Sequence, residues 1–206
     1  MDLFTFLLAV LLLELTPGPN MAYLATLALS RGRVAGLIAT AGVATGLAVH
    51  AIVAGLGAGL LIQQYPLVYE VLRWIGVGYL LYLAWEGWRT EKEVSPERAD
   101  LAVMAGPLFL RGFLSNVFNP KSILFFVSVL PTFVGTGPNA PSLSIQMATF
   151  GILYVAIATA VHGTIVVLAA QLRPWLVEGP RQQTVRRILS IVLALVAIWL
   201  LWTTRR

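Results

Sequence analysis

The sequence predicts an all-α integral membrane protein: six transmembrane helices forming two inverted three-helix repeats, with helices 1 and 4 broken by proline. Three observations carry this: an apolar composition, six apolar stretches, and proline breaks at matching places in the two halves. The 206 residues are 58% hydrophobic and 11% charged, with a mean hydropathy of +0.84, whereas a soluble domain carries about a quarter charged residues. A helix crosses the hydrocarbon core in roughly 20 apolar residues, so there is room for about six or seven spans and for no second, soluble domain. The chain reads as one transmembrane domain over residues 1–206, with repeat 1 at 1–89, a cytoplasmic loop at 90–107 and repeat 2 at 108–206.

The first apolar stretch, Leu3–Leu29, follows Met1-Asp2 with no basic leader and no small-residue cleavage site behind it, so it reads as a retained helix rather than a signal peptide. Leu15-Thr16-Pro17-Gly18-Pro19-Asn20 interrupts it. The second, Gly36–Ile62, contains Gly42-Val43-Ala44-Thr45-Gly46 and Gly55-Leu56-Gly57-Ala58-Gly59, small-residue spacings that let helices approach closely and permit a homodimer. The third is Leu67–Trp88, and the mixed-charge segment Thr90 to Asp100 after it is the natural seam between halves. The fourth, Leu108–Val134, is interrupted by Asn116-Val117-Phe118-Asn119-Pro120-Lys121. The fifth is Ile145–Leu172, and the sixth, Ile188–Trp202, is the shortest. Lipid offers no water to satisfy a bare backbone, so each span must be helical. Trp74, Trp85, Trp88, Trp199 and Trp202 fall near span ends, where an interfacial aromatic belt is expected.

The two broken spans are each followed by a helix carrying the same tripeptide, Ala48-Val49-His50 and Ala160-Val161-His162. Three helices per half set the copies in opposite membrane orientations, an architecture of many secondary transporters. On this six-helix map Arg31, Arg33, Arg89, Lys92, Arg98, Arg111, Arg173, Arg181, Arg186 and Arg187 share one side, while Arg73, Arg205 and Arg206 lie on the other. The positive-inside rule then places both termini outside the cytoplasm of a multi-pass protein in a bacterial-type inner membrane. The net charge of +5 fits loops facing anionic lipid and implies no nucleic-acid partner. The chain has no cysteine, which excludes disulfides and thiolate metal sites.

Pro17 and Pro19 flank Gly18 and should split the first span, because proline lacks an amide donor and clashes with the preceding turn. Gly18 before Pro19, and Asn119 before Pro120, are N-cap types followed by proline at the first helical position. The second half-helices would therefore start near mid-bilayer and turn their positive ends toward a shared site suited to a carboxylate. The plainer alternative is a pair of proline kinks, which membrane helices tolerate. The candidate substrate-binding residues are Pro17, Gly18, Pro19, Asn20, Asn116, Asn119, Pro120 and Lys121. An intramembrane charge costs about 2.5–3.5 kcal/mol even on lenient insertion scales, so Lys121 and Glu14 need a partner or a wet cavity. Lys121 would bind the substrate carboxylate and Glu14 its ammonium or a proton; the alternative is a structural Glu14–Lys121 ion pair. His50 and His162 are candidates for a proton relay, since imidazole titrates near neutral pH, or else packing residues. Glu86, at the end of its span, is expected to snorkel to the interface.

These motifs resemble those of the LysE/RhtB family of amino-acid exporters. Thr16-Pro17-Gly18-Pro19-Asn20 resembles the family's first-helix motif, Asn119-Pro120-Lys121-Ser122 its fourth-helix motif, and Pro131-Thr132-Phe133 its later Pro-x-Phe. The likeness extends through Thr45-Gly46-Leu47-Ala48-Val49-His50 and from Leu72 to Arg89; Ala84 departs from a position that is often glycine. The resemblance implies export of amino acids or their derivatives, driven by protons. No cofactor or metal is implied, and no G-x-x-x-x-G-K-[ST] loop for ATP is present. A membrane-embedded enzyme would need converging acids and bases beyond Glu14, Lys121 and two histidines. A passive channel or scaffold would make the breaks purely structural.

Overall fold

A computed structural model describes residues 3–56, 65–89, 98–135, 140–176 and 182–203. Among these residues the chain is helical and contains no strand. The elements are α1 (Leu3–Leu15), α2 (Pro19–Arg31), α3 (Arg33–Gly55), α4 (Pro66–Arg89), α5 (Arg98–Val117), α6 (Pro120–Leu124), α7 (Leu143–Leu176) and α8 (Gln182–Thr203). After α6 the chain continues as a π turn, Phe125–Val129, and a 3-10 turn, Leu130–Phe133. Among the described residues four helices, α3, α4, α7 and α8, are each long and apolar enough to cross a membrane. Two bent pairs complete the count at six when each is taken as one broken span.

The breaks fall where proline removes amide donors. The amide of Thr16 closes α1 on Leu12 and Leu13, Pro17 has no hydrogen to continue, and Gly18 caps α2 in an extended conformation with Pro19 at its start. The axis turns by 54°. In the fourth span Asn119 caps α6 by accepting a hydrogen bond from the Lys121 amide at 3.0 Å, and the axis turns by 48°.

Several boundaries differ from the sequence reading for local reasons. Helix α5 begins at Arg98, inside the polar segment expected as a loop, because Arg, Ala and Leu there are good helix formers. Helix α8 has 22 residues, longer than its apolar stretch, because glutamine, threonine and arginine continue the helix past the apolar run. Helix α3 ends at Gly55, with Leu56 in a turn; the expected continuation to Ile62, including Gly57 and Gly59, lies outside the described residues, as do Thr90–Glu97, Arg181, Arg205 and Arg206.

At the level of spans, the first packs on the fifth and the fourth on the second, the second also meets the fifth, and the third meets the sixth. A close crossing, α3 on α5, depends on two glycines. A Cβ on Gly42 would sit 2.0 Å from the Phe109 carbonyl oxygen, and one on Gly112 would sit 2.0 Å from that of Ala39. The backbones touch because neither residue has a side chain, as the small-residue spacing implies. An aromatic cluster of Phe6, Phe125, Phe126, Phe133 and Tyr154 fills the core near the breaks. Large apolar side chains such as Leu12, Ile152 and Leu195 point outward, as do all five tryptophans assigned to the belt. Such a surface is unsuited to water and matched to lipid.

Candidate functional site

The two breaks meet at a small cavity whose wall includes Glu14, Gly18, Pro19, Asn20, Asn119, Lys121, Ser122 and His162. Its polar groups are cross-braced between the broken spans. Lys121, the second residue of α6, reaches over to the end of α1 and donates from Nζ to the carbonyls of Leu13 at 2.6 Å and Thr16 at 3.0 Å. Both carbonyls lie at the C-terminal end of α1, where the helix dipole is negative and a cation is favoured. Asn20, the second residue of α2, reaches the other way and donates from Nδ2 to Asn116 Oδ1, near the end of α5, at 2.7 Å. Ser122 Oγ donates to the same oxygen at 3.0 Å. Each second half-helix therefore grips the end of the opposite first half-helix with its second side chain.

Glu14 is 5% exposed, and each of its oxygens has a partner: Tyr154 Oη donates to Oε1 at 2.6 Å, and His162 Nε2 lies 3.3 Å from Oε2. A buried carboxylate needs such donors, because leaving it bare in a low-dielectric interior costs several kcal/mol, on the order of the penalty for one uncompensated ion. Lys121 and Glu14 line the same cavity without contacting each other, so the direct ion pair weighed as an alternative does not form here. His50 stands apart from the cavity wall. Its Nε2 lies 3.2 Å from the Asn116 carbonyl oxygen, and its ring stacks on Phe126. The two histidines thus serve opposite spans, His50 of the second touching the fourth and His162 of the fifth touching the first.

Pro17 and Pro120 act through what they omit. An ordinary residue at 17 would offer its amide to Leu13, the carbonyl that Lys121 takes; one at 120 would offer it to Asn116, the carbonyl beside His50. Gly18 lies against the Lys121 side chain, with room for a Cβ at 3.4 Å from Cδ. The cavity holds about 10 Å³, space for about one water, so it is closed to anything larger in this conformation.

Tyr154 and Ser122 are the site residues that sequence reasoning did not single out. Ser122 adjoins the Asn-Pro-Lys motif and was within reach of that signal, while nothing marks one tyrosine among several in apolar helices. Glu86 accepts a hydrogen bond from Arg111 Nη2 at 2.7 Å across α4 and α5, with both side chains half-buried, a partner that the sequence did not name.

The family model for LysE type translocators matches residues 11–204. Among curated proteins, the chain is 31% identical over 179 residues to the homoserine/homoserine lactone efflux protein of Salmonella typhimurium, covering 87% of this chain and 85% of that one. It is 32% identical over 168 residues to a Vibrio cholerae membrane protein of uncharacterized role, covering 81% and 80%. A similar Pseudomonas aeruginosa membrane protein is 33% identical over 150 residues, covering 69% and 68%. No solved structure matches. The match over nearly the whole chain includes both breaks and the residues that brace them, and the protein belongs to the LysE family of translocators.

Proposed function

We propose that this protein is a secondary transporter that exports amino acids or related small zwitterions in exchange for protons, by alternating access. The observation that carries the proposal is the pairing of an ammonium, Lys121, and a carboxylate, Glu14, on separate sides of one cavity between two broken helices. A zwitterion carries the same two charges reversed. Its carboxylate would displace the α1 carbonyls from Lys121 and meet the amide ends of α2 and α6; its ammonium would approach Glu14. The cavity, with room for about one water, supports alternating access, since a substrate would need the half-helices to part to fit there.

The reciprocal contacts between spans, and the matching roles of Lys121 with Asn20 and of His162 with His50, support an inverted repeat of three helices each. Glu14, held between His162 and Tyr154, is the proton-coupling group this reading favours, with His50 behind the opposite break. The activity named for the Salmonella relative makes homoserine the first substrate to try. Both termini are placed outside the cytoplasm of the inner membrane.

The test is counterflow of labelled homoserine, and of a panel of neutral, branched and basic amino acids, in vesicles holding the purified protein. Trans-accelerated exchange that drives or follows a proton gradient is expected. Chemical conversion of the substrate would identify an enzyme instead, downhill flux without trans-acceleration a channel, and no flux a scaffold.

A further inference from the structure

A second cavity, separate from the broken-helix site, lies between α2, α4, α5 and α8 toward the end of the bundle that carries Arg31 and Arg89. It holds about 60 Å³, room for about four or five waters. Its wall presents the Glu86–Arg111 pair at 2.7 Å, together with hydroxyls of Thr26, Ser30 and Ser190. The Tyr23 side chain also lines it. Tyr23 is 5% exposed, and its hydroxyl is buried with no hydrogen-bond partner among the described residues. Burying an unsatisfied hydroxyl costs about 1–3 kcal/mol, and in a cavity wall that cost is removed when a ligand accepts the bond.

The cavity is joined to the break along one helix face. Asn20, Tyr23, Thr26 or Leu27, and Ser30 recur at three- and four-residue spacing on α2, so they form one stripe running from the broken-helix cavity to the basic end. Asn20 lines the first cavity and Tyr23 the second.

We propose that this second cavity is a loading site for the zwitterionic head of an amino acid on its way to the broken-helix cavity. The substrate carboxylate is taken by the Arg111 guanidinium, whose fork suits a carboxylate, together with the Tyr23 hydroxyl; the ammonium is taken by Glu86. The inference rests on the export reading, and with the arginine-rich end in the cytoplasm it puts the loading site on the side from which an exporter draws its substrate.

Tyr23→Phe is the decisive variant, because the hydroxyl it removes has no hydrogen-bond partner among the described residues. Labelled homoserine exchange is measured in vesicles of the two orientations, so that the arginine-rich end faces the varied substrate in one and the opposite end in the other. The expected result is an unchanged or raised melting temperature and a KM raised about tenfold from the arginine-rich end only, one charge-assisted hydrogen bond's worth. A double change, Glu86→Gln with Arg111→Gln, should raise the same one-sided KM without leaving a buried charge bare. An unchanged KM in Tyr23→Phe, or an equal rise from both ends, overturns the loading site while leaving export standing. No exchange of any amino acid by the wild-type protein removes the export reading, and this site with it.

Discussion

Lys121 is held by main-chain carbonyls and Glu14 by Tyr154 and His162, so the two charges inside the spans answer to different partners. That separation makes a prediction about mutants. Lys121→Met keeps the apolar stem and removes the donor, and should raise the substrate KM tenfold or more, since a hydrogen bond to a charged group is worth about 1.5–3 kcal/mol. Lys121→Arg should restore only part of the affinity, because the planar fork does not fit where a compact ammonium sits between two carbonyls. Adding Glu14→Gln to Lys121→Met should not recover activity; recovery, read as KM in vesicles of the double variant against each single, would mean that the two residues form a structural pair after all. Glu14→Gln alone keeps an acceptor for Tyr154 and removes the titrating group, so substrate exchange should persist at a raised KM while its dependence on an imposed pH gradient disappears. A retained gradient dependence assigns proton coupling elsewhere. Lys121 and Glu14 were visible in the sequence because a charge stands out in an apolar run. Tyr154, Tyr23 and the Glu86–Arg111 pair were not, since a tyrosine in such a run says nothing about which way it faces and two residues 25 apart meet only through the fold.

The broken spans were the most legible elements, because proline acts locally: wherever Pro17 and Pro120 go, the amide they lack is missing there too. What the sequence could not reveal is who uses the carbonyls left over. Pro17→Ala would let residue 17 bond to Leu13 and compete with Lys121, and Pro120→Ala would let residue 120 bond to Asn116 beside His50. Both variants should insert normally, gain helix, and export several-fold more slowly, measured as initial rate per molecule of folded protein; a normal rate in both would show that the breaks are only kinks. Gly18→Ala is a milder probe, since the backbone there is extended and the new methyl meets Lys121 at ordinary contact distance. The α3–α5 crossing is unforgiving by contrast. Gly42→Ala drives a methyl to within 2.0 Å of a carbonyl oxygen, and the backbones must part, at a cost of about 1–3 kcal/mol or more. A melting temperature in detergent within a degree of wild type would show that the crossing is looser than described. The ends of α5 and α8 were harder to read because hydropathy tracks lipid contact, and helices continue into polar residues beyond it.

Orientation of the whole molecule rests on charge. Arg31, Arg33, Arg89 and Arg173 lie at the ends of their helices on one side of the bundle in the six-span order, and the inserted chain retains clusters of lysine and arginine in the cytoplasm, where anionic lipid attracts them. Arg73 is the exception within the spans, and the structure removes most of its weight. It is 3% exposed and paired with Glu70 at 3.2 Å within α4, so it is a neutralised interior residue rather than a free loop charge. Glu86 likewise offsets Arg111 on the basic side, yet Arg31, Arg33, Arg89 and Arg173 still outnumber anything described at the other end. On the proposed reading, six crossings, an even number, would bring the two termini to one side, and the charge bias would make that side the outside. A reporter that is active only beyond the cytoplasm, fused after Arg206, should therefore be active, and the same reporter placed after Arg89 should be silent. Activity in the opposite pattern inverts the molecule and turns the proposed loading cavity outward. Activity at both positions, or at neither, means an even number of crossings between them, so that the bent pair of the fourth span is a re-entrant hairpin and the inverted repeat fails.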